Sequence, residues 1–181
     1  MTAHDTLAGI AGLDAARAAA LTGHRPAVGA AAEASLSALL DVADGDEAPG
    51  LDRATRLLSA ARAAHVDRSR ELLDYYLELL AEEDGAADGG ADGAAVDVHA
   101  LVTGGADGAA GRGASRQLRA LLRHVDLLVL RPAAATPDDV DALVVAGWSI
   151  PEVVVLSQIV AFVTYQTRVA AGLAVLNEVP A

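Results

Sequence analysis

An all-α fold is predicted for this chain by three observations. Apolar residues recur at helical spacing through most of it, helix-capping patterns stand where those runs begin, and strand signals are scarce. There is no Asn-Gly hairpin and no sustained alternation of polar and apolar residues. The apolar run 127–130 could pass for a strand, but its helical surroundings decide against that. A length of 181 residues suits one domain with a sizeable core. Apolar residues are 53% of the chain and aromatics only 3%, so Ala, Leu and Val must build that core.

The elements follow in order. Residues 1 to about 44 are Ala-rich, with Pro26 and Gly29 between two helical stretches. The second stretch, 30–40, places Ala32, Leu36, Leu39 and Leu40 on one stripe, and an acidic turn over 44–50 closes the segment. Helix is expected over 52–80. Leu57, Leu58, Ala61 and Ala64 share one face there, as do Leu72, Leu73, Tyr76, Leu79 and Leu80. The charges Asp67, Arg68, Arg70 and Glu71 crowd its middle, where a break would fall. Residues 82–95 are acidic, glycine-rich and low in complexity, which predicts a mobile loop. A second glycine-rich stretch, at about 103–114, is read the same way. With no strand before it and no lysine after it, it does not suit a phosphate cradle.

The C-terminal part is the best specified. Helix over 115–130 carries Leu118, Leu121, Leu122, Val125 and Leu128 on its apolar side. Thr136-Pro137-Asp138-Asp139 supplies an N-cap, a proline at the first helical position and two acids facing the helix dipole. That helix carries Val140, Leu143 and Val144 and stops at Gly147. Ser149-Ile150-Pro151-Glu152 is a capping-box pattern opening a helix that runs to about 176, some 40 Å at ~1.5 Å per residue.

Composition excludes several kinds of chemistry. Thirteen basic residues, all arginine, stand against 25 acids for a net charge of −12. Such a surface repels nucleic acid and anionic membrane. Without lysine there is no Schiff-base chemistry, and without cysteine there is no disulfide, thiolate metal site or thiol redox centre. The first ten residues have no basic stretch leading into an apolar core, so no secretory signal is expected and the cytoplasm is the default. The apolar span 153–176 holds Gln158, Gln166 and Arg168, which favours a buried core helix over a membrane span.

Few residues have the pattern of a site. Gln158, Tyr165 and Arg168 share one flank of the long helix, as a polar pocket with Arg168 anchoring an anion, or as a polar seam at a subunit interface. If buried, Arg168 needs a carboxylate, from Glu33, Glu71, Glu78 or Glu152. His65, with Asp67 and Glu71 nearby, has the composition of a general base, and also that of a helix C-terminal residue answering the dipole. No ligand spacing supports a metal. His124, beside Asp126 in an amphipathic helix, is expected to be solvated or salt-bridged. One pocket is expected between two sets of residues: His65, Glu71 and Tyr76 on one side, Gln158, Tyr165 and Arg168 on the other.

Over 147–173, GWSIPEVVVLSQIVAFVTYQTRVAAGL, the chain resembles the C-terminal helix-turn-helix of the alkylhydroperoxidase D-like (AhpD-like), or carboxymuconolactone decarboxylase (CMD), superfamily. It is similar in particular to CMD-domain and peroxidase-related proteins with a Gly-Trp-Ser turn and an Arg-Val-x-x-Gly-Leu ending. Residues 51–62, LDRATRLLSAAR, resemble the helix before that family's active site. The resemblance implies an AhpD-like helical bundle assembled into trimers or hexamers through its long helices. Peroxidase members use Cys-x-x-Cys followed by a histidine and a nearby glutamate. The matching window here, 65–76, reads HVDRSRELLDYY and holds neither cysteine, so no family catalytic residue carries over.

Three roles follow, none with a cofactor. The first is a non-redox oligomeric subunit that packs with a cysteine-bearing relative. The second is a cofactor-free lyase or isomerase for a small carboxylate, with Arg168 holding the anion, His65 as base, Tyr165 as acid, and Glu71 and Tyr76 beside them. The third is a small-ligand binding protein with an apolar helical pocket.

Overall fold

Ten α-helices and no strand make up the described residues of the computed structural model, which are 3–42, 48, 50–83 and 97–178, with side chains described from Leu7 onward. The helices are α1 (Ala3–Ile10), α2 (Ala15–Thr22), α3 (Pro26–Leu40), α4 (Arg53–Val66), α5 (Arg70–Ala81), α6 (Val98–Gly104), α7 (Ala109–Gly113), α8 (Arg116–Leu130), α9 (Pro137–Ala146) and α10 (Ile150–Glu178). The predicted all-α class, with its long C-terminal helix, is what the chain adopts. The acidic turn at 43–47 and 49 and most of the predicted mobile loop, 84–95, lie outside the described residues.

Helix α4 is the hub and packs against α5, α6, α8 and α10. It is buried without interruption from Arg56 to Ala64. Ala60, Ala61, Ala63 and Ala64 are inaccessible to solvent, and their small side chains let neighbouring helices approach closely from several sides. The helix begins where Asp52 accepts a hydrogen bond from the Thr55 N–H at 2.8 Å. It ends where the charges crowd. Arg68 takes a left-handed conformation at φ 62°, and the Ser69 N–H closes the turn on the Ala64 carbonyl.

The predicted caps form in the C-terminal part. Ser115 caps α8 through the Leu118 N–H at 3.1 Å. The Asp139 carboxylate accepts from both the N–H and the hydroxyl of Thr136, at 2.8 and 2.7 Å. Gly147, at φ 114°, ends α9 with a left-handed turn, and Trp148 donates its indole N–H to the Gln117 carbonyl at 3.0 Å. Glu152 accepts from the Ser149 N–H at 2.7 Å to cap α10, and its other oxygen accepts from the Gly50 N–H at 2.8 Å. One buried carboxylate thus joins the start of the longest helix to the loop that feeds α4.

The second glycine-rich stretch is folded, contrary to the loop expected at 103–114. It forms the end of α6, a tight turn and α7, with Gly105, Ala106, Gly111 and Ala114 buried. The glycines are there for close approach. A Cβ on Gly105, whose φ is +62°, would overlap the Arg62 guanidinium, and one on Gly111 would overlap the Gly105 carbonyl. The same composition therefore serves packing rather than flexibility.

Helix α10 is long and apolar enough to cross a membrane, by length and composition alone. One face of it, from Glu152 and Val153 through Leu156, Ile159, Val160, Val163 and Gln166 to Ala170, is buried. The helix packs against α4, α8, α3 and α1. The opposite face is exposed, with α1, α2 and α3 flanking it around Tyr165.

The left-handed turn at Arg68 carries a testable cost. An L-residue there gives up about 1 kcal/mol relative to glycine. Arg68→Gly is therefore expected to raise the urea midpoint, by up to about 1 kcal/mol in stability. A lower midpoint would mean that the Arg68 side chain contributes more than its backbone costs.

Candidate functional site

The core's polar groups are mostly spent on architecture. Arg62 makes a two-pronged ion pair with Asp126 of α8, at 2.7 and 2.8 Å, and donates to the carbonyls of Val102 and Thr103 at 2.7 and 3.0 Å. Arg56, almost wholly buried, donates to the carbonyls of Leu51 and Leu39 at 2.7 and 3.1 Å. Each arginine meets carbonyls in the last turn of a helix, α6 for Arg62 and α3 for Arg56, which have no partner further along their own helix.

His65 belongs to the Arg62 cluster. Burial first, and then the Arg62 guanidinium, hold its imidazole below the ordinary range, against the opposing pull of Asp126. Glu71 lies exposed in the first turn of α5. Tyr76 is fully buried, lies edge-on to Tyr75 at 5.2 Å, and donates to the Gln166 Oε1 at 2.5 Å. Burial pushes the Tyr76 phenol well above its usual range. The Gln166 amide nitrogen is buried and has no partner among the described residues.

Gln158, Tyr165 and Arg168 face outward on α10 instead of meeting these groups. The single pocket expected between the two sets is replaced by two separate surroundings. Tyr165, 37% exposed, lies beside Phe162 at 6.0 Å and lines a groove against Val28, Ala31 and Ala32 of α3. It also lines an apolar cavity of about 340 Å³ with Leu7, Leu21, Val169 and Leu173, and with Arg25 and His24 on its wall. Gln158 lines a shallow groove with Val140, Val153 and Val154. Arg168 is exposed and makes no ion pair among the described residues. Glu152, one of the carboxylates considered for it, is instead engaged by Ser149 and Gly50. A base at His65 and an acid at Tyr165 therefore do not face one substrate.

The buried polar partner on α10 is Gln166, a residue the sequence reading did not select. Its signal was present: the inward stripe of Leu156, Ile159, Val163 and Ala170 includes position 166, about 100° around the helix from Tyr165.

His124 departs from its expected solvated role. Only 6% of it is exposed, both ring nitrogens are buried without a partner among the described residues, and Asp126 is committed to Arg62. Burial holds its imidazole below the ordinary range, with the Asp139 charge opposing. The described residues contain no group of three or more His, Asp or Glu that could hold a metal.

Comparison of the chain with protein-family models, curated proteins and solved structures finds no match.

Two predictions test this site. Tyr76→Phe leaves the Gln166 carboxamide without any partner and is expected to cost about 1–3 kcal/mol. Adding Gln166→Leu should recover most of that loss in urea unfolding. A Tyr76→Phe variant as stable as the parent would show that the pair contributes nothing. The second prediction concerns pH. A histidine with a lowered folded pKa binds protons more readily when unfolded, so its stability contribution is complete above about pH 6.5 and is lost as pH falls below it. His124→Leu should therefore lose less stability than the parent between pH 7.5 and about pH 5, measured as the change in urea midpoint.

Proposed function

We propose that the chain is a non-redox subunit of a homo-oligomer, a distant AhpD-like protein in its helical architecture, and that the outward stripe of α10 is its contact surface. One observation carries this reading. Val154, Gln158, Ala161, Tyr165, Arg168, Gly172 and Val175 are all exposed and follow one another at spacings of four and three. That is the period of a helix–helix seam.

The composition of the stripe suits a second copy of the same chain. A molecule of net charge −12 repels its own copies over most of its surface, yet this stripe contains no acid and one cation. Ala161 and Gly172 permit close helix approach, while Tyr165 and Arg168 are residue types enriched at interfaces. Ile150, Val154, Val175 and Leu176 add exposed apolar surface beside or along it. The resemblance over 147–173 points the same way, since it implies assembly through long helices. In this reading the chain contributes surface and shape. It has no cysteine, so any thiol chemistry in a mixed assembly would come from a cysteine-bearing partner.

Light scattering in detergent-free buffer at micromolar concentration tests the proposal. The expected mass is a multiple of 18.3 kDa, and Ala161→Glu, which puts an acid at the middle of the seam, should return it to the monomer. A monomeric parent, an unchanged mass in the variant, or partition of the parent into lipid vesicles would each overturn it.

A further inference from the structure

The helical hairpin of α8 and α9 encloses a groove of about 940 Å³ on a face separate from the α10 seam. Its floor and walls hold polar groups that the fold leaves unused. Among the described residues, His124, more than nine-tenths buried, lines the groove with neither ring nitrogen paired, and the Arg119 Nε is likewise buried and unpaired. A neutral imidazole carries one donor and one acceptor, and burying both without partners costs free energy that a native fold rarely leaves uncompensated.

Charge and shape indicate what would complete the site. Arg116, Arg119 and Arg123 reach the groove from three successive turns of α8. Arg123 is held on its outer side by Asp107 at 3.0 Å, whereas Arg116 and Arg119 have no ion pair among the described residues. Gln117 bonds to the Gly147 carbonyl and Trp148 to the Gln117 carbonyl, so this end of α8 lies against the C-terminal end of α9. There α9 contributes Ala142, Val145 and Ala146, none of them charged.

The acids lie toward the other end. Asp138, Asp139 and Asp141 belong to the N-terminal part of α9, near Leu130 and Arg131, with Asp139 bound to Thr136. Asp126 also borders the groove, but it is neutralised by Arg62. Arg116 and Arg119 thus face an apolar wall, while Asp139 lies near enough to His124 for its charge to act on the imidazole and Arg131 stands among the acids.

We infer that the α8–α9 groove binds a small oxyanion, carboxylate or phosphate, between Arg116 and Arg119 with His124 as a further donor, its remaining body lying against Ala142, Val145 and Ala146. The planar forks of Arg116 and Arg119 match two-oxygen anions, and the oxyanion accepts the hydrogen bond that the imidazole N–H cannot make inside the protein. The α9 acids, with Asp139 acting on His124, disfavour a ligand with a second negative charge. The site is distinct from the seam of α10 and does not depend on assembly.

Isothermal titration of the full chain tests this with inorganic phosphate, hexanoate and the cation hexylamine. Saturable binding of at least one anion is expected, with none of hexylamine. Tighter hexanoate would assign the carboxylate with its apolar body, and tighter phosphate the compact anion. Arg119→Gln should weaken that binding at least tenfold. Because Arg119 is partly buried, the exposed Arg116→Gln serves as the second variant, with a loss in the same direction and an unchanged circular dichroism spectrum. Absence of saturable binding by either anion, or equal affinity in the parent and both variants, would overturn the assignment.

Discussion

A guanidinium buried beside the middle of a four-way helix contact is the constraint on which this architecture depends. Arg62 cannot be placed inside an alanine-rich core unless its charge and its donors are met, because desolvating a lone cation costs several kcal/mol. Asp126 meets the charge from α8, and from α6 the carbonyls of Val102 and Thr103 accept from the Nη1 group. Three elements distant in sequence are thereby brought to one point. The consequences spread outward. Gly105 must lack a side chain because the guanidinium occupies that space, and its positive φ turns α6 into α7. His65, drawn into the same cluster, is placed where its proton is disfavoured.

The other buried polar groups act in a related way. With 3% aromatics, the core lacks the large rings that usually lock helices into one register, and alanine faces alone slide easily. Directional bonds supply the register instead. Glu152 fixes the start of α10 against Gly50, Arg56 fixes the carbonyls of Leu39 at the end of α3 and of Leu51 before α4, and Tyr76 meets Gln166 across α5 and α10. In each case a side chain is matched to a single partner. Shifting α10 by one residue would turn Gln166 toward solvent and leave the Tyr76 hydroxyl in hydrocarbon.

These facts explain which features were legible in the sequence. The caps at Ser115, Asp139 and Ser149 with Glu152, and the stop at Gly147, involve residues within three positions of one another, so local chemistry reveals them. The break near Arg68 was visible in the crowding of charge. The orientation of α10 was not, because the helix is apolar on nearly every side and its pattern does not say which face meets α4. Tyr165 and Gln166 are neighbours in the chain, yet one faces outward and the other is sealed in. The glycines of 103–114 misled for a related reason. Composition cannot distinguish a glycine needed for freedom from one needed for space, and the object claiming the space, Arg62, lies about forty residues away.

The distribution of arginine gives the surface its meaning. In a chain with 25 acids and no lysine, each of the 13 arginines stands in an environment of opposite charge, yet few of them form ion pairs among the described residues. Arg62 neutralises a buried acid, and Arg53 bridges Asp41 and Glu83 at the surface. Arg25, Arg68, Arg112 and Arg131 have no ion pair among the described residues, and two further places stand out for what surrounds the cation. On α8, Arg116 and Arg119 border a groove whose floor contains an unsatisfied imidazole. On α10, Arg168 stands alone in a stripe with no acid along its length. At the groove the complement is a small anion that reaches a buried donor. Along α10, the small, apolar and aromatic neighbours of Arg168 suit the face of another helix.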